Sequence, residues 1–259
     1  MDYTFSALLI TLILFFGMLA LLEIGRWIGN HRLEKDAQGA RAGTGTIEGA
    51  VFALLGLLIA FTFSGAASRF DARRALIVEE TNDIGTAYLR LDLLPASAQP
   101  ALRDLFRRYV DSRLETYRKL PDIDAAKVEL AQSTALQGEI WTQAIAAGRL
   151  ENASPSATML LLPALNQLID ITTTRTMAAR MHPPLAIFAM LYGLALASAL
   201  LAGYGMAGSK SRNWLHIIGF AAIMATAVYV IIDIEFPRLG LIRVDTFDQA
   251  LVDLRASMK

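Results

Sequence analysis

The side chains that could do chemistry in this chain stand at the ends of its apolar stretches. Glu23 and Arg26 close the first stretch, Glu48 opens the second, and Asp233 and Glu235 close the last, with Pro237 and Arg238 directly after. Carboxylates at a membrane edge are costly unless they are wet or paired. Glu23 and Arg26 have the i, i+3 spacing of neighbours on one helix face and are expected to pair. Glu48 is favoured by the exposed N–H groups of a helix N-terminus. In a symmetric oligomer a ring of Glu48 side chains would attract cations. Asp233 or Glu235 is expected to contact Arg69, Arg73 or Arg74, which follow the second stretch. With Glu48 and Arg238 these residues form a candidate membrane-edge ionic cluster, either a structural clasp or part of an ion path.

Other chemistry is missing. The chain has no cysteine, which excludes disulfides, thiolate metal sites and cysteine nucleophiles. His31, His182 and His216 are far apart in sequence, and no pair has zinc-ligand spacing. The run Gly203-Tyr204-Gly205-Met206-Ala207-Gly208-Ser209-Lys210-Ser211 fails as a phosphate loop, because Ser209 separates Gly208 from Lys210 and an apolar helix precedes it. Its Gly203-Tyr204-Gly205 fragment fails as a potassium filter, because Leu201-Ala202 precede it. No Ser/His/Asp set stands out. We therefore expect no catalytic residue, no cofactor and no metal, and a protein that is not an enzyme.

The elements that position these residues follow from composition. Of 259 residues, 54% are hydrophobic and only 19% charged, against about a quarter charged in soluble domains. Mean hydropathy is +0.43. Lys+Arg 24 balance Asp+Glu 24, so no global field draws a nucleic acid. Four stretches approach or exceed the roughly 20 apolar residues that a bilayer-spanning helix needs: Phe5 to Leu22, Gly49 to Ser68, Pro183 to Ser209 and Asn213 to Ile232. No basic residue precedes the first and no clean cleavage site follows it, so it reads as a retained helix. The region from Arg69 to Met181 has another character, with charged and apolar residues alternating at helical spacing. Leu102, Leu105, Phe106, Tyr109 and Val110 share one stripe. Pro95, Pro121 and Pro155 mark breaks, giving helices near 70–94, 99–120, 123–148 and 156–181. In the last of these, Asn166, Asp170, Thr173, Thr174 and Arg175 form a polar patch that could face Glu79, Glu80 or Asn82.

The fold class is all-α: four transmembrane helices, two N-terminal and two C-terminal, flanking a helical extramembrane domain. The expected divisions are 1–68, 69–181, 182–236 and a tail over 237–259. With four spans, both termini and the middle region share one side of the membrane. Basic residues flank the spans on both sides, so charge assigns no orientation.

The second span has two special faces. At about 100° per residue, Gly49, Ala53, Gly56, Ala60, Ser64 and Ala67 share a narrow edge. Phe52, Ile59, Phe63 and Phe70 form the adjacent stripe. Val51, Leu54, Leu55 and Leu58 lie broadly opposite and suit lipid. Small residues let helix backbones approach closely, so the edge either packs on a neighbouring span of the same chain or surrounds an oligomer axis. In the second case Phe52, Ile59 and Phe63 would form a hydrophobic constriction. Gly49, Phe52, Ala53, Gly56, Ile59, Ala60, Phe63 and Ser64 are therefore the candidate pore-lining or helix-packing residues. No proline falls between Ile47 and Leu94, so the helix is expected to continue beyond the bilayer.

The run from Glu48 through Ala66, the following Arg69, Arg73, Arg74, Glu80, Asn82, Ile84, Gly85, Thr86, Leu89, Arg90, Leu93, Leu94 and Pro95, and the closing Asp233-Ile234-Glu235-Phe236-Pro237-Arg238-Leu239-Gly240 resemble the bestrophin-like family of bacterial integral membrane proteins. The resemblance covers essentially the whole chain. Bestrophins are pentameric anion channels with two spans, a cytoplasmic helical domain and two more spans. Here the aromatic stripe is spaced seven, four, seven, not at successive four-residue steps, and no acidic calcium-binding loop of the bestrophin type is found. The resemblance implies a homo-oligomeric, channel-like, ion-conducting protein of the bacterial inner membrane. Its partners would be the lipid bilayer, further copies of the chain and small inorganic ions, with no nucleic acid. The alternative is a membrane-anchored structural or sensing module that binds a partner through its helical domain.

Overall fold

Long runs without proline or charge let helices continue uninterrupted, and the chain is built from them. The computed structural model describes residues 3–36, 44–209 and 211–259. In order, the helices are α1 (Tyr3–Lys35), α2 (Thr44–Leu89), α3 (Gln99–Arg118), α4 (Ile123–Gly148), α5 (Pro155–Arg180), α6 (Leu185–Gly205), α7 (Trp214–Glu235) and α8 (Gln249–Ser257). Among the described residues there is no strand. Four of the helices are long and apolar enough to cross a membrane. The first, α1, runs well past the apolar stretch that ends at Leu22. Its C-terminal turns are polar, and Arg32 and Lys35 favour the negative end of the helix.

Proline and caps set several boundaries. Pro100 and Pro155 stand in the first turns of α3 and α5, where a missing N–H costs nothing. Asp122 caps α4 by accepting from the Ala125 amide at 3.0 Å. Pro163 lies inside α5, which continues through it.

The chain forms two compact units. Unit 1 comprises Met1–Ser68 and His182–Leu241, and unit 2 comprises Arg69–Met181 and Ile242–Lys259. The long helix α2 passes through the boundary at Ser68 without a break and tightens into a 3-10 turn over Arg90–Leu93.

In unit 1, α1 packs most extensively on α6 and next on α7. Leu14, Met18, Leu22, Leu191, Ala195, Ala199, Ile217, Ala221 and Val228 make its core. The approach of α1 to α6 is backbone to backbone. A Cβ at Gly25 would run into the Leu200 carbonyl, and one at Gly203 into the Leu22 carbonyl. In unit 2, α3 and α4 are antiparallel, with Ser112 bonded to Ser133 and Tyr109 to Gln137. The stripe Leu102, Leu105, Phe106, Tyr109 and Val110 is fully buried in its core with Leu136, Leu161 and Leu165. Leu251 and Met258, at and just beyond α8, close the same cluster.

Candidate functional site

Within unit 1 the faces of α2 are used differently from their expected roles. Most of the edge of small residues is uncovered among the described residues, with only Ala67 half-buried. Gly49, Ala53, Gly56, Ala60 and Ser64 are all exposed, and a Cβ added at Gly49 or Gly56 would meet nothing within 4 Å. The opposite face, expected to meet lipid, is the one that packs. Leu55 is buried, Val51 and Leu58 are half-buried, and only Leu54 stays exposed. The aromatic stripe divides. Phe52 meets Phe220 of α7 edge-on at 6.3 Å, Ile59 packs against the unit 1 core, and Phe63 remains 45% exposed. The physical reason is the partner surface. The close-approach surface inside the chain is already taken by α1 on α6, so α2 docks through bulkier side chains.

Glu23 does not pair along its own helix. Its carboxylate takes Arg212 at 3.2 Å, and Arg26 donates to the Ser209 carbonyl at 2.8 Å. The loop between α6 and α7 supplies better-placed partners than the i, i+3 neighbour. Glu48 lies at this same end, its carboxylate turned toward Gly205 at the end of α6. It does not face the exposed edge of α2.

Asp233 and Glu235 lie at the other end of unit 1, and both are fully buried. Asp233 closes the turn that follows α7. It accepts from the Leu241 amide at 2.9 Å and from the Tyr229 hydroxyl at 3.1 Å. A Cβ at Gly240 would overlap this carboxylate, which explains a glycine there. Glu235 meets His182 Nδ1 at 3.0 Å, and the His182 ring stacks on Phe236 at 4.3 Å. At the start of α1, Tyr3 packs on Phe236 and Thr4 donates to the Leu239 carbonyl at 2.9 Å. Arg238 is half-buried in this knot. On sequence grounds Asp233 or Glu235 is expected to contact Arg69, Arg73 or Arg74; within unit 1 the two carboxylates make these further contacts. They serve two different contacts, one to backbone and one to imidazole.

In unit 2, Arg69 is half-buried. Arg73 is buried and donates to the Ala178 and Met181 carbonyls at 3.1 and 2.8 Å, at the end of α5 where cations are favoured. Arg74 bonds Asp71 at 2.9 Å and lies 4.2 Å over the Phe247 ring. Beyond these, the part of α2 past its apolar run brings Glu80 into a buried network. Glu80 is fully buried between Arg113 of α3, at 2.5 Å, and Arg175 of α5. Burial pushes its pKa up, but Arg113 and Arg175 outweigh that and hold it down at about 2. Burial works against the charge on Arg113, yet Tyr117 and Glu80 keep it protonated. Next to this group Tyr109, Gln137 and Thr172 bond one another at 2.9–3.0 Å. Of the polar patch on α5, Arg175 reaches Glu80, whereas Asn166, Asp170, Thr173 and Thr174 are exposed. Arg113 was missed because one arginine among several on a charged helix carries no mark of its own. Its place among Tyr109, Val110 and Leu114 on the buried stripe was the available signal.

Comparisons with known proteins agree with this architecture. The Bestrophin-like domain matches residues 11–247. The fold is similar to crystal structures of single-residue variants of a bacterial Bestrophin homolog from Klebsiella pneumoniae. One gives a TM-score of 0.64 at 15% identity, covering 93% of this chain and 98% of that one. Another gives 0.62 at 15% identity, covering 94% and 97%. A crystal structure described as a membrane protein variant gives 0.60 at 15% identity, covering 93% and 98%. At these identities the likeness is one of fold. No curated protein matches the chain.

Proposed function

This chain belongs to the Bestrophin-like family, and from that premise we propose that it conducts small inorganic ions as a homo-oligomer in the bacterial inner membrane. One observation carries the reading. The Gly49, Ala53, Gly56, Ala60, Ser64 edge of a spanning helix is exposed among the described residues, although such edges suit close backbone contact. In the proposed assembly copies of α2 gather around an axis on this edge. Phe63, exposed beside it, supplies the apolar constriction that gates by dewetting. Phe52 and Ile59 support the wall from inside each subunit.

Reconstitution into planar bilayers tests this. Discrete currents above those of empty bilayers are expected, and replacing Phe63 by alanine should raise conductance by widening the narrowest ring. Silent bilayers, together with a monomeric mass in mild detergent, would overturn the proposal. They would leave the anchored, partner-binding module as the better reading.

A further inference from the structure

Unit 1 contains a cavity of about 360 Å³ lined by Gly29, Thr44, Glu48, Tyr204, Gly205 and Ala207, among others. Among the described lining residues Glu48 is the only charged one. Its Oε1 is buried and has no hydrogen-bond partner. A lone buried carboxylate oxygen is costly, because nothing replaces the water it has lost. The surroundings add to that cost. Both carboxylate oxygens face Gly205, at 3.0 and 3.2 Å from where a Cβ would stand. Gly205 is the last residue of α6, so the carboxylate sits at the negative end of a helix dipole. The final turn is tight there. The Met206 amide is shared between the Ala202 and Gly203 carbonyls, and the Ala207 amide goes to Tyr204. A carbonyl oxygen carries two lone pairs, so each of these can still accept a second partner.

We propose that this cavity binds a monovalent metal cation, held by the Glu48 carboxylate beside the carbonyl-rich end of α6. Carboxylate, carbonyl and hydroxyl oxygens are the ligands of hard cations. No His or Cys is among the described lining residues, which disfavours zinc. A single negative charge is balanced by a single positive one, whereas calcium sites combine several carboxylates. The absence of a side chain at Gly205 leaves the space beside the carboxylate that the ion would use. The inference concerns a site within one subunit and holds whether or not the assembly conducts.

The test is thermal unfolding of the full chain in mild detergent at equal ionic strength, in sodium, potassium or N-methyl-D-glucamine chloride. A saturable rise in Tm of several degrees is expected with the metal ions over the organic cation, as for any ligand that binds only the folded state. Glu48→Gln should remove the difference between salts and raise Tm in N-methyl-D-glucamine, because the unbalanced charge is gone. Gly205→Ala should weaken the metal effect at least tenfold in midpoint concentration. Identical Tm values for the natural chain in all three salts would overturn the proposal. So would a metal dependence that persists in Glu48→Gln, or stabilisation by magnesium or calcium alone. Should Glu48→Gln fail to fold, crystals of the natural chain soaked in thallium(I) nitrate decide. An anomalous peak beside Glu48 supports the site, and its absence overturns it.

Discussion

Glu80 keeps its charge in the interior because two guanidiniums face it, and that dependence can be measured. Removing the carboxylate leaves Arg113 and Arg175 buried without a counter-charge, so Glu80→Ala should cost about 3–5 kcal/mol of unit 2 stability. The pKa of Glu80 is lowered from an ordinary 4.5 to about 2. Its contribution is therefore complete above pH 4.5 and is lost as pH falls toward 2, where the folded carboxylate at last takes a proton. Acid unfolding followed by circular dichroism should show a loss of stability across that window, which Glu80→Gln makes shallower. A second residue-scale prediction concerns Gly240. Because a Cβ there would meet the Asp233 carboxylate, Gly240→Ala should destabilise by about 1–3 kcal/mol through overpacking. Shortening Asp233 to alanine should relieve most of that added cost, and a double-mutant cycle of unfolding midpoints measures the coupling. The motif Asp233 to Gly240 thus has a structural explanation in the turn it closes.

The helices α1, α2 and α6 all carry small residues at close-approach spacing, but they spend them differently. On α6, Ala195, Ala199 and Gly203 recur every four residues, with Ala207 in the turn that follows, and on α1 Gly25 and Gly29 have the same spacing. These surfaces meet each other, to the point that Gly25 and Gly203 have no room for a side chain. On α2, a Cβ added at Gly49 or Gly56 would meet nothing within 4 Å among the described residues. Gly203→Leu should therefore collapse the fold of unit 1, read as lost folded protein in size-exclusion chromatography and a fall in Tm. Gly56→Leu should leave helicity intact and shift the native mass from oligomer toward monomer. If Gly56→Leu instead unfolds the chain and leaves no monomer, the edge is used inside the subunit. From the sequence only the α2 edge was singled out; the small-residue faces of α1 and α6 stand out once their contact is seen. A small-residue pattern states that a helix can be approached closely. It does not state by which partner.

For the whole molecule, the decisive measurement is the mass of the assembly in mild detergent: several copies of the 28.2 kDa chain support the proposed ring, and a monomer removes it. The membrane class, the all-helical architecture and the continuation of α2 past Ser68 were legible in the chain. Each depends on local quantities: hydropathy over about 20 residues, the absence of proline, and a 3.6-residue period. The core stripe of α3 was legible for the same reason. The partners of ionisable groups were legible only in part: Arg175 was placed opposite Glu79, Glu80 or Asn82 and reaches Glu80. Others were not: Glu23 takes Arg212 in place of Arg26, and Glu80 takes Arg113 across a long stretch of sequence. Such pairings depend on which helix faces come together, and packing of many apolar side chains decides that before any single charge does. By itself the sequence determined what each helix can tolerate on each face. The tertiary structure alone decided which faces are spent within the subunit, because burial is a property of the folded surface and not of any one segment.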